Sequence, residues 1–125
     1  MSLKLTLGYS TLAERVATLV KPPSNPEWET VLVVQNPNQI DWHGQRFSEL
    51  AARKDFRHHE LTSRGVAKSR NQAIDLAQGE YLIFSDDDIT FNEFGLRQAI
   101  EFLDAHPDVS LLLGQATDES GTLRK

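Results

Sequence analysis

The chain of 125 residues is 39% hydrophobic and 25% charged, with a formal net charge of -5, proportions that suit one globular domain with a modest core. Its acidic balance argues against nucleic acid as a partner, because a phosphate-backbone binder needs a concentrated basic surface. No apolar run approaches the roughly 20 residues that cross a bilayer, the N-terminus lacks the regions of a signal peptide, and the absence of cysteine excludes disulfide and thiolate chemistry; a cytoplasmic location is expected, with membrane association left to regions outside this chain.

Leu3, Leu5 and Leu7 alternate with Lys4 and Thr6 before Gly8, which predicts a short first strand with one face buried. Ser10 or Thr11 is expected to cap a helix in which Leu12, Val16, Leu19 and Val20 recur at helical spacing until Pro22 and Pro23 stop it. Thr30 to Val34 is an unbroken β-branched and apolar run, the pattern of a central strand covered on both faces. The turn formers of residues 36–44 suit a ligand-lining loop ahead of a short helix around Phe47 to Arg53. Phe56 to Leu61 predicts a third strand whose His58, His59 and Glu60 place it near the sheet edge.

Ser63 is expected to cap a helix from Val66 to Gln78, with Val66, Ile74 and Ala77 as its apolar stripe and Gly79 as a left-handed stop. Tyr81 to Phe84 reads as a buried strand that ends in Ser85, Asp86, Asp87 and Asp88. Asn92 suits the cap of another helix, which faces the core through Phe94 or Leu96, Ile100 and Leu103. Val109 to Leu113 predicts the last strand, and residues 115–125 form a polar tail. Strands separated by helical crossovers predict an α/β fold, a mostly parallel Rossmann-like sheet with helices on both faces. Its ligand site is expected at the carboxyl ends of the strands, where the acidic run falls.

Three consecutive carboxylates repel one another unless water or a cation offsets the charge. Magnesium and manganese take oxygen ligands, and magnesium commonly uses one or two protein carboxylates with substrate phosphates and water. Along an extended segment Asp86 and Asp88 point to one side and Asp87 to the other, so the expected metal pair is Asp86 and Asp88. An isolated Asp-x-Asp is more often a solvated turn. Here it follows Ser63-Arg-Gly-Val-Ala-Lys-Ser-Arg-Asn71 and Ala77-Gln-Gly-Glu-Tyr-Leu-Ile-Phe84 in order.

That stretch resembles family 2 glycosyltransferases, in which a Gly-x-x-x-x-Arg-Asn helix, a Gly-Glu-Tyr turn, an apolar strand and Asp-x-Asp follow one another. The resemblance implies a GT-A fold, a nucleotide-diphospho-sugar donor, and sugar transfer to an acceptor hydroxyl in glycan or polysaccharide biosynthesis. It implies Asp86 on the ribose side, Asp88 on a pyrophosphate-bound Mn2+ or Mg2+, and Arg70 and Asn71 at the nucleotide. Tyr9 corresponds loosely to a nucleotide-contacting first loop. Where relatives carry aspartates after the second strand, this chain has Gln35 and Asn36, amides that still donate and accept hydrogen bonds to a base. Family members continue into an acceptor-binding half that holds the catalytic base, so the 125 residues are expected to be one truncated nucleotide-sugar-binding half-domain, with acceptor and base outside it.

His43, His58, His59 and His106 show no convergent metal spacing and are expected to be structural or exposed, and Trp28 and Trp42 to pack. Gly65 reads as a backbone requirement, since its surroundings lack P-loop spacing. The competing readings are a non-catalytic nucleotide-binding or regulatory module and a receiver-like signalling domain. A receiver would place its acidic residues on early strands.

Overall fold

The computed structural model describes residues 3–87 and 90–108, with Val66 and Asp86 described through their backbones. Asp88, the Val109 to Leu113 strand and the 115–125 tail lie outside the described residues. Two compact units divide the chain, residues 1–92 and 93–125.

The first unit holds strands β1 (Leu3–Leu12), β2 (Trp28–Gln35), β3 (Phe56–Leu61) and β4 (Gly79–Asp86), the 3-10 helix Ala13–Thr18, and helices α1 (Gln45–Ala51) and α2 (Val66–Leu76). The strands form one parallel sheet in the order β3-β2-β1-β4. Gly8 lies beside Val31 and Phe84, and Ser10 beside Val33 and Asp86. Because side chains alternate along a strand, this register sorts the sheet into two faces. Val31 and Val33 pack with Ala73 of α2. Leu32 and Val34 turn to the opposite face and are equally buried. On that face Phe47 of α1 meets Phe56 and His58 of β3 edge-on. Each fully buried Val or Leu contributes about 1.5–3 kcal/mol, so β2 anchors the unit.

At the amino edge, buried Glu29 ties four segments together. Its carboxylate accepts from Thr6 Oγ1 at 2.6 Å, from the Gln78 N–H at 2.6 Å and from Arg57 at 2.7 Å. Burial pushes the Glu29 carboxyl up, but these donors and the Arg57 charge outweigh it and hold the group below the usual carboxylate range. Arg57 also donates to the Leu76 carbonyl.

Several local expectations change. β1 continues through Leu12, and neither Ser10 nor Thr11 caps a helix; their hydroxyls instead meet Ser69 of α2 and Asp87 in the turn after β4. The predicted helix after them shrinks to the six residues of the 3-10 helix. Gly65, not Ser63, occupies the N-cap of α2, and no side chain caps it. The helix stops at Leu76, and Gly79 opens β4. Its need for glycine is close approach: an added Cβ would stand 2.6 Å from the Leu5 carbonyl carbon and the Thr6 nitrogen. On α2 Ser69 and Ala73 are buried, while Ile74 is 54% exposed. The buried stripe is displaced from the expected one because Ala73, and not Ile74, meets Val31 and Val33 of β2.

In the second unit α3 (Glu93–Ala105) starts one residue after Asn92. Leu96 is its buried residue, and Phe94, the other candidate, is 68% exposed.

Candidate functional site

All four strands end on the same edge, at Leu12, Gln35, Leu61 and Asp86. From β1 the chain lays β2 and β3 to one side and then β4 to the other. The point where strand order reverses, between the ends of β1 and β4, opens a crevice in parallel α/β sheets. The acidic turn leaves β4 there, with Asp86 paired in register to Ser10.

Ser10 is the centre of a hydrogen-bonded chain. Gln35 Nε2 donates to Ser10 Oγ at 3.0 Å, Gln35 Oε1 accepts the Gly65 N–H at 2.9 Å, and Ser10 Oγ meets Ser69 Oγ at 2.5 Å. Three elements, β1, β2 and α2, are thereby linked at one edge. Asn36 is buried, and its amide closes the following loop: Nδ2 donates to the Ile40 carbonyl at 2.8 Å and to Glu60 at 3.0 Å, while Oδ1 accepts the Ile40 N–H at 3.0 Å. Trp42, also buried, donates to Glu60 at 2.8 Å. Hydrogen bonds from Trp42, then Asn36, hold the Glu60 carboxyl below its ordinary value.

Tyr9 faces the other side of the sheet, buried and edge-on to Phe91 at 5.9 Å. Burial pushes its phenol pKa well up, with the Arg53 charge opposing, so the hydroxyl stays protonated. Arg70 lies on the exposed side of α2 with its guanidinium 5.8 Å from the Phe84 ring centroid, and Asn71 beside it is exposed. Lys68 reaches Ser63 at 3.5 Å.

The middle carboxylate of the acidic run is committed within the protein. Asp87 is 6% exposed; its Oδ2 accepts from Thr11 Oγ1 at 2.6 Å, its Oδ1 pairs with Arg15 at 2.8 Å, and its carbonyl accepts the Val20 N–H at 3.3 Å. Nothing in the sequence marked Arg15 or Thr11 as a partner of Asp87, because their meeting depends on the β1–β4 register. Ser69 was likewise unsuspected within the Arg-Asn motif. Three of the four histidines take packing roles: His43 stacks on Trp42 at 4.1 Å, His58 meets Trp42 and Phe47, and His106 stacks on Phe102, while His59 is exposed. Among the described residues no group of three or more His, Asp or Glu could hold a metal, and no helix is long and apolar enough to cross a membrane.

The fold is similar to that of S. aureus TarS. The crystal structure of TarS 1-349 in complex with UDP-GlcNAc matches with a TM-score of 0.66 at 24% identity, over 84% of this chain and 32% of that one. TarS 1-349 by itself matches with a TM-score of 0.66 at 22% identity, over 94% of this chain and 40% of that one. The chain therefore spans between 32% and 40% of these solved chains, and the likeness identifies the sheet and helices as a GT-A fold. No curated protein matches. The model of the family described as glycosyl transferase family 2 matches residues 8–125, and the chain belongs to that family.

Proposed function

We propose that these residues form the donor half-domain of a glycosyltransferase, binding a nucleotide-diphospho-sugar for transfer of its sugar to an acceptor hydroxyl in glycan biosynthesis. The observation that carries this reading is the acidic turn at the switch point between β1 and β4. It fits the UDP-GlcNAc named in the TarS complex. Asp86 is assigned to the ribose side and, with Asp88, to a divalent cation. Arg70 and Asn71 extend toward the nucleotide from α2, Gln35 and Asn36 shape the wall at the end of β2, and buried Tyr9 backs β1 from the other face of the sheet.

The donor set suits Mn2+ or Mg2+. Asp87 is spent on Thr11 and Arg15, which leaves an all-oxygen pair of carboxylates for a hard cation that also takes phosphate oxygens. A cation held there would neutralise charge that builds on the departing diphosphate. The protein's own contribution is positional: Arg15 compensates Asp87, and the bonded strand ends fix the rim. The acceptor and the base that deprotonates it are not assigned to these residues. Family membership sets the receiver-like alternative aside.

Calorimetry with uridine and guanosine diphosphates, in manganese and in chelator, tests the proposal. Binding of at least one nucleotide that requires the metal is the expected result. Equal affinity in chelator would refute the metal bridge, and no binding to either nucleotide in manganese would refute donor binding.

A further inference from the structure

We infer that Gln35 is a positioning residue of this site, acting on α2 through Gly65 and on β1 through Ser10, and that it does not read the base. The inference rests on the donor-binding function proposed above.

Both ends of the Gln35 amide are engaged within the protein. Oε1 accepts the Gly65 N–H at 2.9 Å and Nε2 donates to Ser10 Oγ at 3.0 Å. Gly65 is the N-cap of α2 and has φ 150, a conformation that L side chains rarely adopt. The N–H of this residue is the donor that Gln35 holds. On the other side Ser10 passes the connection to Ser69, which is 1% exposed on α2. The first turn of the helix is therefore fixed to the strand ends at two points, Gly65 and Ser69. Arg70 and Asn71 follow directly on that turn.

The chemistry of the amide matters here. A carboxylate at this position has no N–H to offer Ser10, and it would bring negative charge to a hydroxyl in register with Asp86. A neutral group that donates at one end and accepts at the other satisfies both partners without adding to the acidic cluster. Loss of the strut should let the start of α2 shift, and with it Arg70 and Asn71, the groups proposed to meet the nucleotide. Because both ends of the Gln35 amide are bonded within the protein and neither is left to read a base, the loss should not depend on which base is present.

The test is calorimetry in manganese with uridine and guanosine diphosphates, on wild type, Gln35→Leu, Ser10→Ala and the double variant, with melts to confirm folding. Gln35→Leu is expected to weaken each nucleotide that binds by about tenfold and by the same factor, at unchanged stoichiometry. The double variant should lose less than the two single losses combined, because both act through one strut. Gly65→Ala pulls the same lever from the helix side and should give the same base-independent loss, which keeps the test alive if Gln35→Leu folds poorly. A change in the ratio of uridine to guanosine affinity, wild-type affinity in Gln35→Leu, or full additivity with Ser10→Ala would overturn the inference. Absence of nucleotide binding in the wild type would instead overturn the donor-binding function, and appears before any substitution is made.

Discussion

Arg15 Nη2 stands 2.8 Å from Asp87 Oδ1, so the middle carboxylate of the acidic run is paired to the 3-10 helix that follows β1. The two ends of the pair differ in setting: Asp87 is buried, while the Arg15 side chain is 54% exposed. Solvent screens the cation, so Arg15→Met is expected to cost under about 1 kcal/mol. Asp87→Ala also strands the Thr11 hydroxyl and should cost about 2–3 kcal/mol, with Asp87→Asn between them. Urea unfolding of the three variants checks the order; equal stability of Asp87→Ala and wild type would show that the clasp carries no weight.

Gly79→Ala is expected to be among the more damaging single-methyl additions in the first unit. The new Cβ would meet backbone atoms of Leu5 and Thr6 at 2.6 Å, and backbone cannot move aside as a flexible side chain can. A loss of about 1–3 kcal/mol is expected. Gly44→Ala is the control, since its added Cβ meets nothing within 4 Å. Thermal midpoints of the pair would be compared, and an equal shift in both would contradict the close approach of β4 to β1.

Stability should fall with acid through Glu29. Its folded pKa is depressed, so the folded state binds fewer protons than the unfolded one across the window between the two values. The Glu29 contribution is thus fully present above the unfolded value of about 4.3 and is lost as pH falls through the lower folded value. Glu29→Gln should flatten this part of the profile while lowering stability at neutral pH, because Arg57 loses its charged partner. Melts from pH 3 to pH 7 would show parallel profiles for the two proteins if Glu29 does not supply the dependence.

The parallel sheet was legible because its signals are local: alternation in Leu3 to Leu7, the β-branched run of Thr30 to Val34, and a polar third strand that does take the sheet edge. Helix starts were less legible. Ser10, Thr11 and Ser63 have the chemistry of caps, but Ser10 and Thr11 are drawn into bonds to Ser69 of α2 and Asp87 after β4, partners 59 and 76 residues away. Gly79 sat where a helix stop was expected, yet what requires glycine there is the backbone of a strand more than 70 residues earlier. At the site, the acidic run and the Arg-Asn pair could be picked out by order along the chain. The links among Gln35, Gly65, Ser10 and Ser69 could not, since they arise only once three elements meet.

The division of labour within the acidic run gives the sharpest test of the metal assignment. Asp87 already has a cation and a hydroxyl as partners, whereas the assignment gives Asp88 the cation and gives Asp86 both cation and ribose. Without a divalent ion the diphosphate would meet like charge, so manganese-dependent affinity should fall steeply when a ligand carboxylate is neutralised. Asp88→Asn is expected to weaken manganese-dependent nucleotide binding by about tenfold or more with little change in stability. Asp87→Asn should do the reverse, lowering the unfolding midpoint while folded protein keeps most of its affinity. Titrations run well below the melting range of each variant separate the two effects, because an unfolded fraction lowers stoichiometry and a lost ligand lowers affinity. Should folded Asp87→Asn lose more affinity than Asp88→Asn, the cation would have to sit on the middle carboxylate, and its bonds to Thr11 and Arg15 would have to open when the nucleotide binds.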